Sequence, residues 1–171
     1  GVGKTSWVTM LRSGEFEPKW IATLGVLVYS IVLSTNVGNI KFNIWDCAGL
    51  EKFGGLGDKS FVGAITRSGY YAKGDCMVVM GDLSNISSME KIPMWIEDVR
   101  RIIPCAPLVI VGSKSDLVED THFSGIHIST KKRENIFSPL ITLARALKGN
   151  QAIFEVHSST PHEKVFVDDD F

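Results

Sequence analysis

Two short stretches carry residues whose types and spacing suit chemistry on phosphate. Asp46 closes the apolar run Ile44-Trp45 and is followed by Cys47-Ala48-Gly49. A strand that runs into an aspartate, a small residue and a glycine puts a carboxylate and a flexible backbone N–H at the mouth of a sheet. Phosphate-binding α/β proteins use that arrangement to hold magnesium and touch a terminal phosphate. Gly1-Val2-Gly3-Lys4-Thr5 is the second half of a G-x-x-x-x-G-K-[ST] loop. Its glycines let N–H groups close around phosphate oxygens, Lys4 neutralises β- and γ-phosphate charge, and Thr5 offers a hydroxyl to the metal. The bland readings are a Gly-rich turn before a helix and a loop acid.

These residues need elements to position them. Ser6 to Ser13 reads as a helix, with Trp7, Val8, Met10 and Leu11 apolar at helical spacing and Gly14 as its stop. Leu24 to Leu33 and Asn39 to Trp45, rich in Val, Ile, Phe and Tyr, read as a β-hairpin around Thr35-Asn36-Val37-Gly38. Asp75 to Leu83 and Leu108 to Val111 read as buried strands. Between them a helix, capped by Ser87 or Ser88, runs to about Ile103, with Ile92, Met94, Trp95, Ile96 and Val99 as core candidates; Pro93 disturbs its first turn and Pro104 ends it.

Composition sets the bounds. The chain of 171 residues is 44% hydrophobic, enough for one sizeable core, and its net charge of -1 gives no basic surplus for nucleic acid or membrane. Cys47, Cys76 and Cys105 lie far apart without metal-ligand spacing, so reduced thiols are expected. No run approaches the ~18 apolar residues of a membrane span. The end, Val167-Asp168-Asp169-Asp170-Phe171, offers no prenylation cysteine. His122, His127, His157 and His162 show no ligand spacing.

Asp46-Cys47-Ala48-Gly49-Leu50-Glu51 resembles the D-x-A-G-Q-E motif of Ras-superfamily GTPases, with Leu50 where that family carries the glutamine that orients the attacking water. Within the superfamily, Ala22-Thr23-Leu24-Gly25-Val26, Glu51-Lys52-Phe53-Gly54-Gly55-Leu56, Gly14-Glu15-Phe16-Glu17 and Ile40-Lys41-Phe42-Asn43 look like the nuclear-transport branch typified by Ran. The resemblance implies an α/β fold, a P-loop G domain with a mostly parallel sheet flanked by helices, whose first strand is absent from the given sequence. That absence predicts unpaired edges on neighbouring strands. The implied layout is an incomplete G domain over 1–153 and a short acidic tail over 154–171, which the composition favours as a disordered solvating tail.

The same resemblance implies a nucleotide site. It places Gly1, Val2, Gly3, Lys4, Thr5, Ser6, Trp20, Thr23 and Gly49 around GTP or GDP, with Mg2+ held by Thr5, Thr23 and, through water, Asp46. Ser113-Lys114-Ser115-Asp116 resembles the N-K-x-D guanine reader with Ser113 replacing asparagine. There Asp116 would accept from N1–H and the 2-amino group of guanine while the Lys114 stem covers the base. Losing the asparagine amide removes a base contact and a brace to the phosphate loop, a weakening of about 1–3 kcal/mol.

Two departures stand out. An excess of roughly ten residues, Lys59 to Ser68, precedes Gly69-Tyr70-Tyr71 inside the second switch, and only about ten, Leu117 to Ile126, separate Asp116 from the next motif. Counting back from Leu143-Ala144-Arg145-Ala146-Leu147 sets Ser129-Thr130-Lys131 on the family's S-A-K loop. The other register matches Lys131-Lys132-Arg133 to a basic patch instead. The function implied is a Ran-like guanine-nucleotide switch in nuclear and cytoplasmic transport. Its implied partners are importin-β/exportin-type receptors, an exchange factor and an activating protein, with no nucleic acid or membrane. With Leu50 unable to orient water, no catalytic residue is intact and hydrolysis is expected to be slow. The alternatives are a nucleotide-independent interaction protein or decoy, and a degenerate Ran-like product.

Overall fold

The computed structural model describes residues 1–19, 21–23, 25–49, 71–119 and 122–149, together with two short backbone segments at 157–158 and 164–165. Helix α1 (Lys4–Ser13) begins two residues earlier than its apolar spacing indicates, because Gly3 adopts φ 93° and hands its carbonyl to the Trp7 N–H. Gly14, at φ 69°, returns its N–H to the Met10 carbonyl and stops the helix. Trp7, Val8, Met10 and Leu11 are all buried. Each such side chain stabilises by roughly 1.5–3 kcal/mol through removal from water. The Trp7 indole Nε1–H donates to the Ile136 carbonyl at 2.8 Å, joining α1 to the far end of the chain.

Strands β1 (Val26–Thr35) and β2 (Gly38–Cys47) form the expected hairpin, antiparallel over ten rungs from Val26 opposite Cys47 to Thr35 opposite Gly38. β3 (Met77–Asp82), β4 (Leu108–Ser113) and β5 (Ile126–His127) form a three-stranded parallel sheet in that order. Among the described residues β2 and β3 each pair along one edge only, so the strands form two sheets. One core spans both: Tyr29, Ile31 and Leu33 of the hairpin sheet join Met80, Val109 and Val111 of the parallel sheet through α1.

The helix expected before Ile103 is split into α2 (Ile86–Met89) and α3 (Ile92–Ile102). Pro93 has no N–H to continue a helix from the preceding turn and sits in the first turn of α3, where none is needed. Neither Ser87 nor Ser88 caps: Asn85 is the N-cap residue, and the Ser88 hydroxyl accepts from the Asp82 N–H at 2.8 Å. Ile92 and Val99 are buried, whereas Met94, Trp95 and Ile96 are half-buried. A short 3-10 turn (Ser115–Leu117) follows β4, and α4 (Ser138–Lys148) packs on that strand.

The tail departs from the expected disorder. β6 (His157–Ser158) and β7 (Lys164–Val165) both pair antiparallel with β1. The free edge of a long strand presents unpaired N–H and C=O groups that recruit any available backbone, acidic composition notwithstanding. The 59–68 excess lies outside the described residues, as do Trp20 and Leu50. All three cysteines are free; burial pushes the Cys47 and Cys76 thiols up to about 11, which keeps them protonated at neutral pH. No described helix is long and apolar enough to cross a membrane.

Candidate functional site

Three elements deliver three oxygen-bearing side chains to one point. Thr5 comes from the first turn of α1, Thr23 from the connection before β1, and Asp46 from the end of β2. The Thr5 hydroxyl donates to Asp46 Oδ2 at 2.6 Å, and Thr5 Oγ1 lies 2.7 Å from Thr23 Oγ1. Thr5 has one proton, already given to Asp46, so Thr23 is the donor in the second contact. Asp46 is 3% exposed, and its other oxygen, Oδ1, is buried without a hydrogen-bond partner. Burial holds its carboxyl above the usual carboxylate range, against the opposing pull of the Thr5 hydrogen bond and the Lys4 charge.

Lys4 shows the complementary strain. Burial holds its ammonium below the ordinary lysine value, with Asp46 opposing. A Cβ built on Gly49 would lie 2.2 Å from Lys4 Nζ, so only glycine leaves that ammonium where it is. Thr5, Thr23, Gly49, Gly3 and Lys4 line a cavity of about 170 Å3.

The donor set fits a magnesium ion. Two hydroxyls and a carboxylate, one of whose oxygens is orphaned, are hard oxygen ligands, and magnesium is usually held by one or two carboxylates with phosphate and water completing the shell. Among the described residues no three His, Cys, Asp or Glu gather around a point, so phosphate and water would have to complete it.

A second constellation lies where β4 ends. Ser113 is 2% exposed, and its hydroxyl is 2.6 Å from the Val2 carbonyl and 3.0 Å from that of Gly81. The expected loss of a brace to the phosphate loop is therefore corrected: a shorter side chain in the asparagine's place still reaches Val2. Asp116, in the 3-10 turn, accepts from the Ser129 hydroxyl at 2.6 Å through Oδ1. Ser129 is fully buried and also receives the Lys132 N–H at 3.0 Å. Ile128 joins the two loops, donating its N–H to Gly112 and accepting from Ser115. Thr130 is half-buried and Lys131 exposed.

Asp82 escaped the sequence reading. Its Oδ2 accepts from Lys114 Nζ at 2.6 Å, while Oδ1 accepts from the Ser84 N–H and hydroxyl. Burial alone would raise its pKa, but the bonds from Lys114 and Ser84 outweigh burial and hold it below the usual carboxylate range. Lys114, at φ 57°, is thereby anchored from below. The signal was available: Asp82 ends an apolar strand just as Asp46 does, in register with Ser113.

A protein-family model described as the Ras family matches residues 1–155. The chain belongs to the Ras family. It is thus a small GTPase of the kind that binds guanine nucleotide with Mg2+ and acts as a switch, and its α/β fold, with helices flanking a parallel three-stranded sheet, is that family's G domain.

Proposed function

We propose that this Ras-family chain is a Ran-type switch in nucleocytoplasmic transport of proteins and RNA, with GTP hydrolysis slowed by Leu50. One observation carries the nucleotide site: the buried, unpartnered Asp46 Oδ1 beside two converging hydroxyls and a lysine deprived of solvent. In this reading Lys4 and the Gly1–Gly3 loop hold the phosphates, Thr5, Thr23 and Asp46 orient the magnesium shell, and Asp116 reads guanine from a carboxylate fixed by Ser129. Bound magnesium would neutralise β- and γ-phosphate charge. The Ran assignment is supported by the strings Ala22-Thr23-Leu24-Gly25-Val26 and Glu51-Lys52-Phe53-Gly54-Gly55-Leu56. Its partners would be importin-β/exportin-type receptors, an exchange factor and an activating protein, and it would move between nucleus and cytoplasm.

Two measurements test the two halves. In single-turnover hydrolysis, Leu50→Gln is expected to exceed the wild-type rate by at least roughly tenfold, since one positioned hydrogen-bonding group is worth that or more. Equal rates would remove Leu50 from the account. Capture by an importin-β-type receptor is expected only with a GTP analogue. Capture that ignores nucleotide would favour the decoy reading, and no capture would sink the Ran assignment while leaving the family intact.

A further inference from the structure

Trp7 brings to the core a polar group that packing alone does not need. It lies one turn beyond Lys4 on α1, is 3% exposed, and belongs to the same apolar cluster as Val8, Met10, Leu140 and Leu143. Any large apolar side chain could fill that place. Only an indole adds an N–H there, a donor without acceptor capacity, and a buried donor left unpaired is costly. That N–H is answered at 2.8 Å by the Ile136 carbonyl, 129 residues away in sequence. Ile136 is itself 9% exposed, so the bond is made away from water.

Ile136 closes a turn that is cross-bonded several times over. Ser129 and Glu134 exchange both backbone bonds, at 3.1 and 2.9 Å, the Lys132 N–H donates to the Ser129 hydroxyl at 3.0 Å, and the Asn135 side-chain amide donates to the His127 carbonyl at 3.1 Å. Arg133 and Asn135 are held left-handed, at φ 60° and 54°. A segment tied this closely to itself shifts as a unit. At its start stands Ser129, fully buried, whose hydroxyl donates to Asp116 Oδ1 at 2.6 Å. Two side-chain bonds and one stiff turn therefore connect the helix that carries Lys4 and Thr5 to the carboxylate at the other end of the site.

We propose, on the reading of Asp116 as the guanine acceptor, that Trp7 is a positioning residue for base recognition: through Ile136 it holds the 129–136 turn so that Ser129 aims the Asp116 carboxylate. A carboxylate that accepts from N1–H and the 2-amino group at once tolerates little rotation, and the proton that Oδ1 takes from Ser129 sets that rotation. Trp7 thus stands on the phosphate helix yet governs which base is accepted, while phosphate binding itself does not depend on its N–H.

The test compares the full chain with its Trp7→Phe variant, which keeps an aromatic ring in the core and deletes the N–H. Affinities are measured in magnesium for GDP, for inosine diphosphate, which lacks the 2-amino group, and for pyrophosphate, which lacks the base. The wild type is expected to prefer GDP to inosine diphosphate. Trp7→Phe is expected to lose at least roughly fivefold of that preference, the worth of one hydrogen bond, with pyrophosphate affinity unchanged. Ser129→Ala should lose more, and the double variant no more than Ser129→Ala alone, because Trp7 acts through that hydroxyl. Equal losses for all three ligands would make Trp7 a packing residue and overturn its positioning role, as would an unchanged preference or an additive double variant. A wild type without preference for GDP would overturn the guanine reading, and the role of Trp7 with it. If Trp7→Phe does not fold, 3-benzothienylalanine at position 7, which exchanges the N–H for sulfur in the same ring shape, is read by the same criteria.

Discussion

The two ends of the site are built on opposite principles. Around Asp46 the chain brings together groups that do not fully satisfy one another: a buried carboxylate oxygen has no partner and the neighbouring lysine is depressed by burial. Around Asp116 polar groups are answered from within, by Ser129 for Asp116, Asp82 for Lys114 and Val2 for Ser113. An unsatisfied buried acceptor costs roughly 1–3 kcal/mol, so the first end gains most by acquiring a cation and phosphate. The second is already organised and would select by the hydrogen bonds that Asp116 accepts. Affinity and its metal dependence should reside at one end, and base discrimination at the other.

The sharpest way to break that contrast is Asp46→Asn. The amide still accepts from Thr5 but gives magnesium no charge, and nucleotide affinity in magnesium is expected to fall by about 2 kcal/mol, roughly 30-fold, while affinity in chelator stays unchanged. Because burial raises the Asp46 pKa, its ionised form destabilises the nucleotide-free protein at neutral pH, so the same variant should melt at a higher temperature without ligand. A variant that lost affinity equally with and without magnesium would refute the division.

Ser113→Ala probes the link between the two ends. It removes the hydroxyl that spans β4 and the Val2 carbonyl, and should weaken nucleotide binding by about 1 kcal/mol, some fivefold, with faster exchange at the phosphate loop. Ser113→Asn should restore the binding. Unaltered affinity in the alanine variant would mean that the loop is held by other contacts.

Asp82→Asn, with an effect no larger than that of Ser113→Ala, is the one with a pH signature. The folded-state pKa of Asp82 is lowered, so its contribution is fully present above the ordinary carboxylate value of about 3.9 and is lost as pH falls through the lower folded value. Lys114 is 39% exposed, and solvent screening limits the difference from wild type to about 1 kcal/mol at pH 7. Chemical denaturation should show that gap closing as acid is added. A gap constant with pH would assign the effect to packing.

Much of this was legible because it is local. The apolar spacing of Trp7, Val8, Met10 and Leu11, the strands on either side of Thr35–Gly38, and Asp46 at a strand end each follow from period and turn chemistry over a few residues. What escaped was non-local or hung on one atom. Nothing near Ser113 reveals that its hydroxyl reaches the Val2 carbonyl, 111 residues away in sequence. The tail's composition favours solvation, and only the free edge of β1 explains why four of its residues pair. The split between α2 and α3 was half legible: Pro93 marks the break, but Asn85 rather than a serine is the N-cap residue, Ser87 and Ser88 lying inside α2.

The Ala48 N–H donates to the Gly25 carbonyl at 2.8 Å, closing the hairpin one step beyond its last rung. Asp46 thus stands near the end of one arm of this ribbon, and Thr23 in the connection that leads into the other arm at the same end. Ten rungs at about 3.3 Å each make a lever of some 30 Å. A displacement of a fraction of an ångström between those two oxygens, multiplied along that arm, would swing the exposed Asn36-Val37 tip by several times as much, so the far end of the hairpin is where occupancy of the site becomes mechanically audible.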